Sequence, residues 1–155
     1  MKNVKSYARN GISALLFAGL GSISQGVNAG AVPVSATILE FAEDNTLFVA
    51  DSDGGQILAY TLPQVKPAKA SVSYNLEGAG SQIAQLLGVD SRLVSYHDIA
   101  VHPVSKEAYI SLSVQKNGKR TPYVIRANQA GDFSRVDLAS LPNSVKKLTD
   151  TANDK

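Results

Sequence analysis

Two short stretches carry the residue types that could do chemistry. The first is His97-Asp98, with His102 four residues beyond the aspartate. It is the only histidine–carboxylate cluster in a chain with two histidines. Imidazole and carboxylate suit a divalent metal, and a His–Asp pair can move a proton. The spacing works against both. Side chains on a strand alternate between faces, so His97 and Asp98 are expected to point opposite ways. Asp98 and His102 share a face but stand about 13 Å apart by strand rise. The expectation is structural: Asp98 satisfies backbone amides or caps a turn, and His102 closes a strand before Pro103. The second stretch, Asp51-Ser52-Asp53-Gly54, faintly resembles a calcium loop. Such a loop needs an oxygen ligand at its fifth position and a glutamate at its twelfth. Gly55 and Leu62 stand there. A hairpin turn explains the acids and glycines more simply. Asp98, His102, Asp51 and Asp53 are thus the candidate metal ligands; no catalytic residue and no cofactor is assigned.

Other arrangements are missing or weak. The sequence has no Gly-x-Ser-x-Gly elbow for a serine nucleophile and no Gly-x-x-x-x-Gly-Lys phosphate loop. Gly78-Ala79-Gly80-Ser81 could greet an anion at a helix start. It lacks a preceding strand and a nearby lysine, so it reads as a flexible entry. Phe41, Phe48, Tyr60, Tyr109 and Tyr123 fall in strand patterns and read as core packing.

The elements that must position these residues are mostly strands. Residues 38–50 and 98–111 share a pattern: an apolar strand, a polar turn, then a strand carrying an aromatic. Leu39 aligns with Ile99, Phe41 with Val101, Phe48 with Tyr109 and Val49 with Ile110. Asp51 to Gly55 then turns into a strand over Gln56–Thr61. In the second unit, Asn117-Gly118 turns into a strand through Tyr123–Arg126, and a fourth strand runs from Phe133 to Leu138. Asn-Gly, Asp and Gly tolerate the left-handed backbone of tight hairpins. Three or four short antiparallel strands per unit match the anatomy of a β-propeller blade. The units are about 60 residues apart, beyond the roughly 40–50 of common propeller repeats. A connector from 66 to 97 accounts for the excess. It holds a possible outer strand, Ser71–Tyr74, and a short helix over Ser81–Gly88. Ser81 caps that helix and Ile83, Leu86 and Leu87 form its docking face.

The fold class is therefore all-β, with propeller-like blades of short antiparallel strands, one inserted helix, and an incomplete propeller as the whole. The first blade spans 30–65, the second 98–141, and 142–155 reads as a polar connector or truncated end. Two blades would leave end faces uncovered, with Phe41, Leu47, Ile57, Val101 and Ile110 among their residues, and invite self-association.

Residues 1–29 read as a secretory signal peptide. Lys2, Lys5 and Arg9 form a basic start without an acid. Residues 12–23 are an apolar stretch too short for the ~20 residues a bilayer span needs. Val27-Asn28-Ala29 and Ala29-Gly30-Ala31 are small-residue cleavage sites. Without the leader's three bases, 12 Lys and Arg face 13 Asp and Glu, so the apparent basicity belongs to the leader. Lys116, Lys119 and Arg120 cluster about a solvated hairpin turn, not the dense basic patch nucleic acid requires. The chain has no cysteine, which excludes disulfides, thiolate sites and a lipidated N-terminal cysteine. A periplasmic or secreted bacterial protein is expected, with no membrane attachment after cleavage.

Three segments carry a resemblance: Gln82-Ile83-Ala84-Gln85-Leu86-Leu87-Gly88, then Asp98-Ile99-Ala100-Val101-His102-Pro103, then Ala108-Tyr109-Ile110-Ser111-Leu112-Ser113. Together they resemble an exported, uncharacterised bacterial β-propeller-like family. Leu47-Phe48-Val49-Ala50-Asp51 also resembles strands of NHL/YVTN-type blades. The resemblance covers most of 37–141 and about the N-terminal third of a family member. Gln115-Lys116 stand where the family pattern has an Arg-Gly pair. The resemblance implies an exported β-propeller-type protein that binds or scaffolds an unidentified protein, glycan or small molecule. The alternative is the N-terminal fragment of a propeller-fold hydrolase or lyase, with catalytic groups mostly outside this chain. Expressed in a bacterium, the protein should lose its leader and begin at Gly30 or Val32. Intact mass of the periplasmic fraction checks this; a full-length cytosolic protein overturns it.

Overall fold

The computed structural model describes residues 30–68 and 76–149. The expected leader and the expected outer strand over Ser71–Tyr74 lie outside these residues. So does the end of the chain from Asp150.

The described residues form eight strands and one α-helix. Strands β1 (Ile38–Phe41), β2 (Thr46–Asp51) and β3 (Gln56–Thr61) follow one another, then helix α1 (Ala79–Leu87). Strands β4 (Val94–Val101), β5 (Ala108–Lys116), β6 (Lys119–Ala127), β7 (Phe133–Arg135) and β8 (Asn143–Lys147) complete the order. They build two four-stranded sheets, β1-β2-β3-β8 and β4-β5-β6-β7. Every pairing is antiparallel. The all-β expectation holds.

Local chemistry sets the turns. Lys116 pairs with Lys119 across a two-residue loop. Asn117 and Gly118 there have φ of 51° and 73°. Both angles are those of a type I′ turn, whose twist matches the strands it joins. Residues 52–55 turn β2 into β3, as expected from their Asp and Gly content.

The sheets pack face to face. Leu39, Leu47, Val49, Leu58 and Tyr60 of the first sheet share a core with Tyr109 and Val124 of the second. The other face of the second sheet, through Ile110, Leu112, Val114 and Ile125, meets Ile83 of α1. Strand β5 is consequently buried from Ala108 to Val114. The layers run first sheet, second sheet, helix.

Five expectations change. The segment from 142, read as a connector, contains β8, which pairs with β3 as the fourth strand of the first sheet. Backbone bonds from Thr61 N–H to Pro142 O (2.9 Å) and from Leu148 N–H to Gly55 O (2.8 Å) clamp its ends. The strand expected over Phe133–Leu138 stops at Arg135, and Leu138–Ser140 form a 3-10 turn. Helix α1 starts before Ser81, with Gly78 at its N-cap and no side-chain cap. Its docking face also rotates: Ile83 and Ala84 are buried while Leu86 is 43% exposed. The end-face residues divide as well. Leu47 and Ile110 are buried, Phe41 packs against the core, and Ile57 and Val101 are exposed.

The helix orientation is checked by a pair of truncations. Ile83→Ala should cost about 2–4 kcal/mol, because it empties a site between α1 and β5. Leu86→Ala should stay within about 1 kcal/mol, as exposed positions do. Urea unfolding of the two variants measures both; equal losses would refute this docking.

Candidate functional site

The bland explanation of Asp51 understates its role. Its carboxylate is 1% exposed at the end of β2. Oδ1 accepts from Ser35 N–H (2.8 Å), Ser35 Oγ (2.9 Å) and Gly54 N–H (2.9 Å). Oδ2 accepts from Val34 N–H and Gln56 Nε2, both at 2.9 Å. Burial alone would raise the carboxyl pKa. The hydrogen bonds from Gln56, Val34, Ser35 and Gly54 outweigh it and hold the group below its ordinary value. The carboxylate thus ties the segment entering β1 to the β2–β3 turn. Gly54 is required by the same contact, since a Cβ there would strike the pinned Asp51 carboxylate. Asp53 presents its backbone N–H to Ser35 Oγ at 3.0 Å and leaves its side chain exposed. A cation would have to displace five donors from Asp51.

The second pair is equally committed. His97 is the extra residue of a β-bulge, where pairing passes from Tyr96–Leu112 to Asp98–Ser111. The bulge breaks the strict alternation assumed from sequence. His97 Nε2 lies 2.9 Å from Ser113 Oγ. Asp98 Oδ2 accepts from Leu39 N–H at 2.9 Å, and Oδ1 from its neighbour Ile99 N–H at 2.8 Å. It therefore ties β4 to β1, the first strands of the two sheets. His102 is fully buried. Its ring meets Phe41 edge-on, with centroids 4.9 Å apart. Nδ1 accepts from Val104 N–H (3.2 Å) and Ser105 N–H (3.1 Å). An accepting nitrogen carries no proton, so the neutral ring holds its proton on Nε2. Leu39 over Asp98 and Phe41 over His102 show β1 and β4 advancing side by side in one direction. Among the described residues, no three His, Asp or Glu side chains gather as a metal-ligand set. Asp98 and His102 do share a face, as expected, but each serves a separate contact with β1.

What the chain leaves open is a groove of about 320 Å³. One wall is Val32-Pro33-Val34, the segment that Asp51 holds in place. The other is the first half of β6, Lys119 to Tyr123, with Arg135 of β7. Lys119, Arg120 and Arg135 are exposed, and no carboxylate lines the groove. The Arg135 guanidinium lies 5.1 Å from the Tyr123 ring centroid, a cation–π contact that orients it. Strand β7 covers only Ile125–Ala127 of β6, so among the described residues the edge beside the groove is unpaired. The sequence signal was the Lys119–Arg120 pair in the hairpin. Its neighbours at 32–34 and 135 come together only in the fold.

A second concavity of about the same volume, 320 Å³, lies between α1 and β7, lined by Gln82, Gln85, Leu86, Asp132 and Phe133. It presents no cluster of like charge or ionisable pair. No protein-family model, curated protein or solved structure matches the chain.

His102 makes the protein acid-sensitive. Burial lowers its pKa from 6.5; Glu107 opposes the shift and Lys106 adds to it. A proton on Nδ1 would also face two N–H donors. The unfolded chain therefore takes up this proton first, and the stability tied to the neutral ring is fully present above pH 6.5. It declines as pH falls from there through the folded-state value. The Asp51 contribution is lost only below its ordinary 3.8. His102→Asn keeps an acceptor for the turn and should flatten the first decline while leaving the second. Urea unfolding across pH 7.5 to 3 measures this; an unchanged slope below 6.5 in the variant would refute it.

Proposed function

We propose that this chain is an exported binding or scaffold module built from two β-propeller-type blades, as in the family it resembles. The observation that carries the reading is the arrangement of the two sheets. Each is a four-stranded antiparallel unit, they stack face to face, and their first strands lie side by side. Propeller blades stack in this way around an axis lined by their first strands. The residues that could have done chemistry, Asp51, Asp98 and His102, are all engaged in holding this arrangement, which supports a binding role over an enzymatic one. The longest helix of the described residues has nine residues, and none is long and apolar enough to cross a membrane. That is compatible with release after leader cleavage.

A stack of blades needs its end faces covered. Helix α1 covers the middle of the far face of the second sheet, while Tyr96, Ile99 and Val101 on its β4 edge stay exposed. The far face of the first sheet stays open: Ile38 is 58% exposed and Phe48 and Ile57 are 36% exposed each, with exposed Glu40 across from Phe48 and Lys146 across from Ile57. Cross-strand register sets Ile38, Ala50 and Ile57 in one row and Phe48 with Ala59 in the next. Copies of this chain that pair through the outer face of the first sheet make an isologous contact, which gives a dimer. The protein purified from the periplasmic fraction should be a dimer by light scattering. Phe48→Lys combined with Ile57→Lys should make it a monomer without changing its circular dichroism. A wild-type monomer with a sharp thermal transition would overturn the blade reading and show a self-sufficient small domain.

A further inference from the structure

We propose that the groove between β6 and the 32–34 segment is a docking site for an extended acidic peptide. The inference rests on the binding-module reading and names the chemistry of its ligand.

The charge comes first. Lys119, Arg120 and Arg135 line the groove, and no Asp or Glu does; strand alternation puts Lys119 and Arg135 on one face of the sheet and Arg120 on the other. Among the described residues the ion pair between Arg92 and Asp90 lies elsewhere. The mature chain is near neutral overall, so this concentration of one sign is local. A groove lined by one sign of charge focuses its field and attracts the opposite sign. Arg135, held over Tyr123, presents its planar fork with little freedom left to lose, which suits a carboxylate.

The backbone narrows the ligand to a peptide. Lys119 closes the hairpin with Lys116, so odd-numbered residues of β6 turn their backbone groups toward β5. Even-numbered residues turn theirs outward. Val124 confirms the parity, because its carbonyl accepts from Val136 N–H at 2.9 Å on the β7 side. Beyond β7 the outward groups are the N–H and C=O of Arg120 and the C=O of Pro122. They face the groove. An extended chain can pair with Arg120 as a strand pairs with an edge. Pro122 offers no N–H there, which limits the pairing to a short stretch and guards the edge against open-ended strand addition. Exposed Val32 and Val34 on the opposite wall provide apolar contacts for the residues between the acids. Carboxylates on alternate residues would meet Lys119 and Arg135, which share a face, and the residues between would meet the valines.

The test uses the mature full-length protein and a fluorescein-labelled peptide of alternating glutamate and valine, read by fluorescence anisotropy at low salt. Saturable binding is expected. Charge reversal of the exposed pair, Lys119→Glu with Arg120→Glu, should weaken it roughly tenfold or more. The same charge change placed outside the groove, Lys66→Glu with Arg92→Glu, should leave it within about twofold, which separates the groove from net charge. A peptide N-methylated at alternate amides should bind several-fold more weakly, because it cannot pair with the edge. Thermal melts of both variants verify folding. Absence of saturable binding up to about 1 mM, equal effects of the two double variants, or indifference to N-methylation would each overturn the proposal. So would stronger binding of an oligogalacturonate, which has the charge without the peptide backbone. None of these outcomes bears on the dimer measured by light scattering, so the groove can fail while the blade reading stands.

Discussion

Strand β5 has no face toward water, and the layering follows from that. Seven consecutive residues, Ala108 to Val114, are buried. Ile110, Leu112 and Val114 must be covered on one side and Tyr109, Ser111 and Ser113 on the other, since neighbours in a strand point to opposite faces. Helix α1 covers the first set and the first sheet the second. A nine-residue helix is too short to persist alone, so α1 owes its existence to the apolar surface it caps. The first sheet, in turn, gains its buried face from the second. Neither sheet would be covered without the other, and burial of this shared surface is the dominant stabilising term.

Polar groups then fix how the layers meet. Apolar contact is non-directional, whereas the Asp98–Leu39 and Asp51 hydrogen bonds are specific to one geometry. Asp98 sets the height of β1 against β4. Phe41 on His102 and Tyr109 sets the same seam two residues further on. Asp51 gathers the entering chain, the β2–β3 turn and Gln56 around one buried charge. Such a charge is tolerable only when every lone pair is used. The residue types that attract attention as catalytic candidates are therefore occupied by architecture.

The same construction creates the surface available for binding. Because Asp51 pins Val34 and Ser35, the segment before β1 lies across from β6 instead of trailing away. Because β7 is only three residues long, the first half of β6 has no partner on that edge among the described residues. The groove is the space between these two consequences, and its cations come from a hairpin and an edge strand that share no local sequence. The outer face of the first sheet instead sets exposed Ile38, Phe48 and Ile57 beside Glu40 and Lys146. The two surfaces are chemically distinct, so they suit different partners.

The strand pattern was legible because period-two alternation with Asn-Gly and Asp-Gly turns is a local signal. Most of β1 to β6 and the hairpin at Asn117-Gly118 follow from it. That Asp98 would satisfy backbone amides was also available from the sequence, and it accepts from Leu39 and Ile99 N–H. Three things were not. Strand β8 is Asn-Ser-Val-Lys-Lys, with a single apolar residue that stays 38% exposed, a composition suited to an edge and indistinguishable from a linker until β3 offers it a partner. The docking face of α1 depends on the angle at which the helix meets β5; periodicity marked Ile83, Leu86 and Leu87 together, and packing kept Leu86 in water. The bulge at His97 and the groove beside β6 depend on contacts between residues tens of positions apart. A sequence determines which residues alternate and where the chain turns, because those preferences act between neighbours. Which strand fills an open edge, and which distant side chains meet, is decided by burial and hydrogen-bond geometry that exist only once the two sheets have stacked.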